Sequence, residues 1–399
     1  MIYAFIDNAQ HPEFGSARIP FPIPSGDYES ILSLMKERGI GDALKQDCCV
    51  KEITGEYPVL KRLEGSFINL DEMDYLAKRL DSFNTREAAQ FQGMAEKMGL
   101  CRPADLINLT FCCQQATVIT DFSDLGAVGR AHYMNLHDGC ATMEELEALD
   151  GYETALLLID SEAGAVTPYG VVYDNGMRLE QLYDGRHFPA YLYEETLLEL
   201  CVTPRTDPDP EHPTVDYIYL PAPNSVIERT LLRTGIGSPD EFNIFAVYTG
   251  LPKPVMDVLN ISRQDVYELN NMCHAIRELG SGQMDKLTAA VLLAKPESAF
   301  EVGEIAKNLD LFDFVPGAKD AEEYGKYMIQ QSGHFEYDPN LDNFYNYSQY
   351  GWDRINREQG QFNELGYIAY KGTMTMEELL CGDPVERLEQ QIDGMGGMA

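Results

Sequence analysis

The chain has 399 residues, 44% of them hydrophobic and 24% charged, the balance of a protein with a buried core. That excludes a wholly disordered chain, and no apolar run approaches the roughly 18 residues that a membrane-spanning helix needs. Its 65 Asp and Glu against 30 Lys and Arg leave a net charge of -35, which repels nucleic acid, anionic lipid and phosphate-rich ligands at long range and attracts basic surfaces.

Taken in order, Met1–Ile6 reads as a short strand leading to Pro22-Ile-Pro24. A helix follows with Ile31, Leu32 and Met35 on one face, and then a strand over Val50–Tyr57. Paired helices fall over 70–82 and 84–98, the second opened by Asn84 and Thr85-Arg-Glu-Ala. Another short helix begins near Pro103, and strands at Ala155–Ile159 and Gly170–Tyr173 close the first half. Thr203 to Pro213 carries four prolines and reads as an extended linker. Beyond it come a strand at Asp216–Leu220 leading to Pro221-Ala-Pro223, a helix with Ile227, Leu231 and Leu232, and a strand at Asn243–Tyr248. Helices over 264–279 and 283–294, a short one near Pro296, a Tyr/Asn/Asp-rich stretch over Asp338–Gln359 and a strand at Tyr367–Tyr370 complete the set. The expected class is α+β, with several small modules in tandem, elongated and acidic.

The chain repeats itself. Tyr173 to Gly185 lines up with Tyr370 to Gly382 at an offset of 197, and Leu70–Leu80 with Leu269–Leu279 at 199. Pro22-Ile-Pro24 and Pro221-Ala-Pro223 share that 199, Gly39-Ile-Gly41 meets Gly235-Ile-Gly237 at 196, and Tyr133-Met134 meets Tyr327-Met328 at 194. The expected organisation is a first half over 1–202 with a divergent 140–202 part, a linker over 203–215, a second half over 216–392 and a flexible tail over 393–399. Acidity follows the repeat: residues 1–200 hold 33 acids and 15 bases, net -18, and residues 201–399 hold 32 and 15, net -17.

Signals for chemistry are few. No phosphate-binding glycine loop, dinucleotide fingerprint, nucleophile elbow or His-Glu-x-x-His zinc motif is present. The nine cysteines include two adjacent pairs, Cys48-Cys49 and Cys112-Cys113, and no Cys-x-x-Cys spacing, so they read as reduced thiols packed as small hydrophobes. His132, His137 and Cys140 have a loose metal-like spacing but lack a fourth ligand, and they read as solvent-facing helix-end residues. Asp338-Pro-Asn-Leu-Asp342 copies the first ligands of a calcium loop, but Asn343 stands at the glycine position and Gln349 at the bidentate one, so a helix start is the better reading. The first residues show neither a basic region nor a long apolar one, which points to the cytoplasm.

The acids are spread along helices, opposite apolar stripes: Asp71, Glu72 and Asp74; Glu144, Glu145 and Glu147; Glu194 and Glu195; Glu322 and Glu323; Glu377 and Glu378. A solvated face explains each cluster singly. It does not explain the total, since solubility of a small domain needs a net charge of only about 2–8. Duplex DNA carries about one charge per 1.7 Å, so the surplus matches roughly 60 Å of duplex.

The second half resembles the ArdA family of antirestriction proteins. The resemblance rests on Tyr324-Gly-Lys-Tyr327-Met-Ile, Asp338-Pro-Asn-Leu341-Asp-Asn-Phe344, Tyr347-Ser-Gln-Tyr350-Gly351-Trp-Asp353 and Gly366-Tyr367-Ile368-Ala369. It is densest over 265–372 and partial over 68–135. It implies a DNA mimic of small modules in a row, binding type I restriction-modification enzymes in place of duplex DNA and encoded on mobile elements. It implies no catalysis, metal or cofactor. Assembly would be a homodimer or, given a chain about twice the usual length, an intramolecular pseudo-dimer. Trp352 departs from the family's usual Arg. Carried over, Asp338, Asp342 and Asp353 are the first partner-binding acids, while Tyr327, Leu341, Phe344, Tyr350 and Gly351 are expected in core and turns. Two other classes compete: an acidic adaptor or regulator from a mobile element that binds a different basic protein, and a hydrolase with a paired-carboxylate pocket.

Overall fold

In a computed structural model describing residues 1–137, 139–161, 164–193, 195–206, 214–237, 241–280 and 282–382, Ile2, Ala4 and Ile6 alternate inward along the first strand, β1 (Ile2–Asp7). It is central in an antiparallel sheet with β2 (Ala17–Phe21), then helix α1 (Tyr28–Glu37), and β3 (Cys48–Gly55) and β4 (Phe67–Ile68), in the order β2-β1-β3-β4. Tyr28, Ile31 and Met35 form the buried stripe of α1. A helical layer follows: α2 (Leu70–Asp81), α3 (Thr85–Met98) and α4 (Pro103–Leu109). Asn69 and Asn84 open α2 and α3 with full capping boxes, closed by Glu72 and Glu87. Next come β5 (Thr117–Ile119), α5 (Leu125–Leu136), α6 (Met143–Ala148), α7 (Gly151–Ser161), β6 (Ala165–Thr167) and β7 (Gly170–Tyr173), whose strands pair in the order β5-β7-β6. Ile119, Leu158 and Tyr173 fill the core beneath α5 and α7.

Contacts divide the chain into two units between Pro189 and Ala190. The second begins with β8 (Leu198–Pro204), β9 (Asp216–Leu220), α8 (Asn224–Arg233) and β10 (Phe242–Thr249), in the sheet order β10-β8-β9. A short α9 (Lys253–Asp257) leads to the helices α10 (Val266–Arg277), α11 (Met284–Ala294) and α12 (Ala299–Lys307). Then β11 (Phe312–Pro316), α13 (Ala321–Gln330), α14 (Tyr347–Glu358), β12 (Gln361–Asn363) and β13 (Gly366–Tyr370) form a last module with the strand order β11-β13-β12, and α15 (Met376–Cys381) packs Leu379 into the main core. Val315, Tyr324, Met328, Ile355 and Tyr367 make a separate core under α13 and α14.

The two units carry the same elements at one offset, 196, over most of their length. Helices α1, α2 and α4 begin 196 residues before α8, α10 and α12. The pairings repeat in register. Ile119 faces Val171 where Val315 faces Tyr367, and Ala165 faces Val172 where Gln361 faces Ile368. The β2 and β9 region runs at 199, because the 3-10 turn Ser25–Asp27 separates Pro24 from α1 while Pro223 itself caps α8, and β3 and β10 begin 194 residues apart.

Several expectations are corrected on this frame. The offset of 199 for the helix at 70–80 becomes 196. A shift of three residues is close to one helical turn and keeps the apolar stripe in phase, so the pattern could not distinguish them. The buried polar residue Asp74 fixes the alignment. Its carboxylate takes the Ile23 N–H at 2.7 Å, and Asn270, 196 residues on, takes the Ala222 N–H at 2.9 Å. Asp216–Leu220 answers to β2 rather than to β1. The counterpart of β1 is β8, which reaches into the proposed linker as far as Pro204. Residues 207–213 of that linker and the 393–399 tail lie outside the described residues. Ala155–Ile159 is helical, within α7, where an Asp150 carboxylate accepting the Glu153 N–H marks the start. The Asp338–Gln359 stretch holds α14, the counterpart of α7, and Leu232 is half exposed.

The paired helices approach closely at glycine in both units. A Cβ on Gly129 would overlap the Gly151 carbonyl oxygen, and a Cβ on Gly351 that of Ala321; both are backbone atoms that cannot swing aside. Gly351→Ala should therefore cost about 2 kcal/mol of stability through overpacking. Gly26→Ala, which meets nothing within 4 Å, should not. Denaturant unfolding of the two variants checks this.

Candidate acidic interaction surface

The carboxylates singled out by sequence fall into three groups. The first is exposed. Glu322 and Glu323 stand in the first turn of α13, where the helix dipole favours negative charge, below an N-cap in which Asp320 accepts both their N–H groups at 2.9 Å. Glu322 pairs with Lys326 at 2.7 Å. Asp353 is exposed on α14, Asp338 caps the 3-10 helix Pro339–Phe344 through the Asn340 N–H at 2.9 Å, and Glu377 is exposed at the start of α15. Glu144 and Glu147 are exposed on α6, and Glu195 lies 3.6 Å from Arg277. Glu194 lies outside the described residues.

A second group is committed to local structure while still facing solvent. Glu145 closes a capping box with Thr142, and Glu378 closes one with Thr375. The Thr N–H in each box, and then its hydroxyl, hold the carboxyl below its usual range. Asp342 is a clasp. It accepts hydrogen bonds from Tyr347 Oη at 2.6 Å, Tyr337 Oη at 2.7 Å and Gln330 Nε2 at 3.0 Å, which ties the 3-10 helix to α13 and α14. Those hydroxyls, Tyr347 first, pull its pKa down, so it stays ionised as a structural anchor.

The third group is a correction: Asp71, Glu72 and Asp74 are buried. Tyr28 Oη donates to Asp71 at 3.1 Å, and Asp74 holds Ile23 and pairs with Lys78 at 2.8 Å. Glu72, 1% exposed, accepts from Gln46, from Tyr183 Oη at 3.1 Å and from the Asn69 N–H at 3.2 Å. The supposed solvent face of α2 is met by Ile23 and Tyr28 at Asp74 and Asp71, and by a segment over 174–189 at Glu72 and Tyr75. There Phe188 stacks on both Tyr75 and Tyr183, and Asn108 binds the Tyr183 backbone. These three acids serve packing, not a partner.

Leu341 and Phe344, expected in the core, are exposed at 47% and 84%. Tyr327 and Tyr350 are half-buried and Gly351 buried, as a packing role requires. Of the residues expected to face solvent, His137 and Cys140 are exposed and His132 is half-buried. Its Nδ1 lies 3.0 Å from Thr117 Oγ1, and burial lowers its pKa. All nine cysteines are unbridged, and among the described residues no three His, Cys, Asp or Glu side chains gather as a metal site. A depression lined by Glu268, Phe300, Glu304 and Lys307 has room for about one water, with Lys307 2.9 Å from Glu304. No described helix is long and apolar enough to cross a membrane.

No known protein family matches the chain, and no curated protein matches it.

Burial raises the Glu72 pKa above its ordinary 4.5. The folded state then holds that proton more tightly than the unfolded chain, so this group's contribution is complete below about 4.5 and is lost as pH rises through the folded value. Melting temperatures of Glu72→Gln and wild type should therefore drift apart in the variant's favour as pH climbs from 4 to 7. A difference independent of pH would contradict the assignment.

Proposed function

We propose that the protein is a DNA mimic that occupies the duplex-binding surface of a type I restriction-modification enzyme, acting in the cytoplasm without catalysis, metal or cofactor. The supporting observation is where the surplus charge sits. Of 65 acids, the buried ones among the described residues are Asp7, Asp71, Glu72, Asp74, Asp105, Glu199, Asp216 and Glu304. The other described acids reach solvent at least in part, in both units, and self-repulsion on that scale needs a compensating use. An enzyme surface of Lys and Arg built for phosphates supplies one. The offset of 196 shared by most elements, with matched strand order and with matched register in the β5-β7-β6 and β11-β13-β12 sheets, supports descent of both units from one acidic module, which would enlarge the charged surface without new chemistry.

Exposed charge pairs contribute about 0.2–1 kcal/mol each. Single neutralisation of Glu323, Asp338 or Asp353 should thus leave inhibition of restriction cleavage within a few-fold of wild type, and neutralising about ten exposed acids across both units should abolish it. Glu72→Gln should leave inhibition intact. Complete loss from one exposed substitution, with the melting curve unchanged, would sink the distributed-charge reading.

A further inference from the structure

Within 335–353 the second unit shows an unusual surface. Phe335, Leu341, Phe344 and Trp352 are 49%, 47%, 84% and 54% exposed. The same stretch holds Glu336, Asp338, Asp342 and Asp353, and the basic groups beside it, Lys326 and Arg354, are paired with Glu322 and Glu358. In a 3-10 helix residues i and i+3 eclipse, so Leu341 and Phe344 form one column and Asp342 points about 120° away from it. Because Asp342 is clasped by Tyr337, Tyr347 and Gln330, that column is held in place rather than left to collapse. Phe335 is likewise fixed, edge-on to Tyr350 with ring centroids 5.6 Å apart.

We propose that these exposed side chains are the apolar anchor of the interaction: Leu341, Phe344 and Trp352 insert into the basic, duplex-binding surface of the partner protein, with the exposed Asp338 and Asp353 of the same stretch as its charged rim. Charge selects the occupant. A second copy brings its own -35, and the chain's own residues 383–399 carry four acids and one base, so neither complements an acidic rim, whereas a basic protein surface does. Aromatic side chains are the usual centres of interface energy, and preordered ones lose little entropy on docking. The inference rests on the proposed function and adds to it a contribution to affinity that salt does not screen.

The test is displacement of a labelled recognition duplex from a purified type I restriction-modification enzyme at about 50 and about 200 mM salt. Trp352→Ser/Phe344→Ser should weaken displacement about thirtyfold at both concentrations and leave the salt slope unchanged. Asp338→Asn/Asp353→Asn should flatten the slope. Phe344→Ser alone, at a position 84% exposed, gives a smaller loss of the same kind and guards against misfolding of the double variant. A double variant that competes like wild type overturns this inference alone. So does a wild-type dimer in sedimentation that the double variant turns into a monomer, since these side chains then join copies. A wild type that displaces no duplex overturns the inference and the proposed function together.

Discussion

A chain with 35 surplus negative charges must fold against its own repulsion, and that constraint shapes much of what the structure does with carboxylates. Many acids that meet the backbone are placed on helix N-termini. Glu72, Glu87, Glu145 and Glu378 close capping boxes, and Asp320 and Asp338 cap helices outright. There the helix dipole and free N–H groups turn a liability into local stabilisation. The buried Asp71, Glu72 and Asp74 are each met by hydrogen-bond donors. What is left faces solvent, and it is this remainder that the proposed function puts to use.

Helices with polar caps and a 3.6-residue apolar period were legible in the sequence: α2, α3, α10 and α11 stand close to where the pattern puts them. The α+β class was legible for the same reason. Features without a local period were not. β8 carries no signal that sets it apart from the proline-rich stretch it enters: most of it lay unassigned at the end of the expected first half, and its last two residues fell in the expected linker. The Ala155–Ile159 run is apolar throughout and carries no period, so only the Asp150 cap marks it as helix.

The surface was misread at two places, because exposure depends on tertiary contacts that periodicity does not carry. Asp71, Glu72 and Asp74 lie on what periodicity makes a polar face, but Ile23 and Tyr28 reach Asp74 and Asp71, and Tyr183, more than a hundred residues on, reaches Glu72. Leu341 and Phe344 look like core by composition. The 3-10 helix that holds them is pinned by Asp342, and this leaves them on the outside. Sequence located the acids well and could not say which had been spent on packing.

The proposed function asks that exposed carboxylates occupy the place of phosphates. Carbodiimide footprinting of every carboxylate, with and without a bound type I restriction-modification enzyme, tests this most directly. The account predicts protection of exposed acids in both units, among them Glu144, Glu323, Asp353 and Glu377, reversed by added duplex, with Glu72 unreactive throughout. Protection confined to one small patch, or protection that duplex does not reverse, would contradict it.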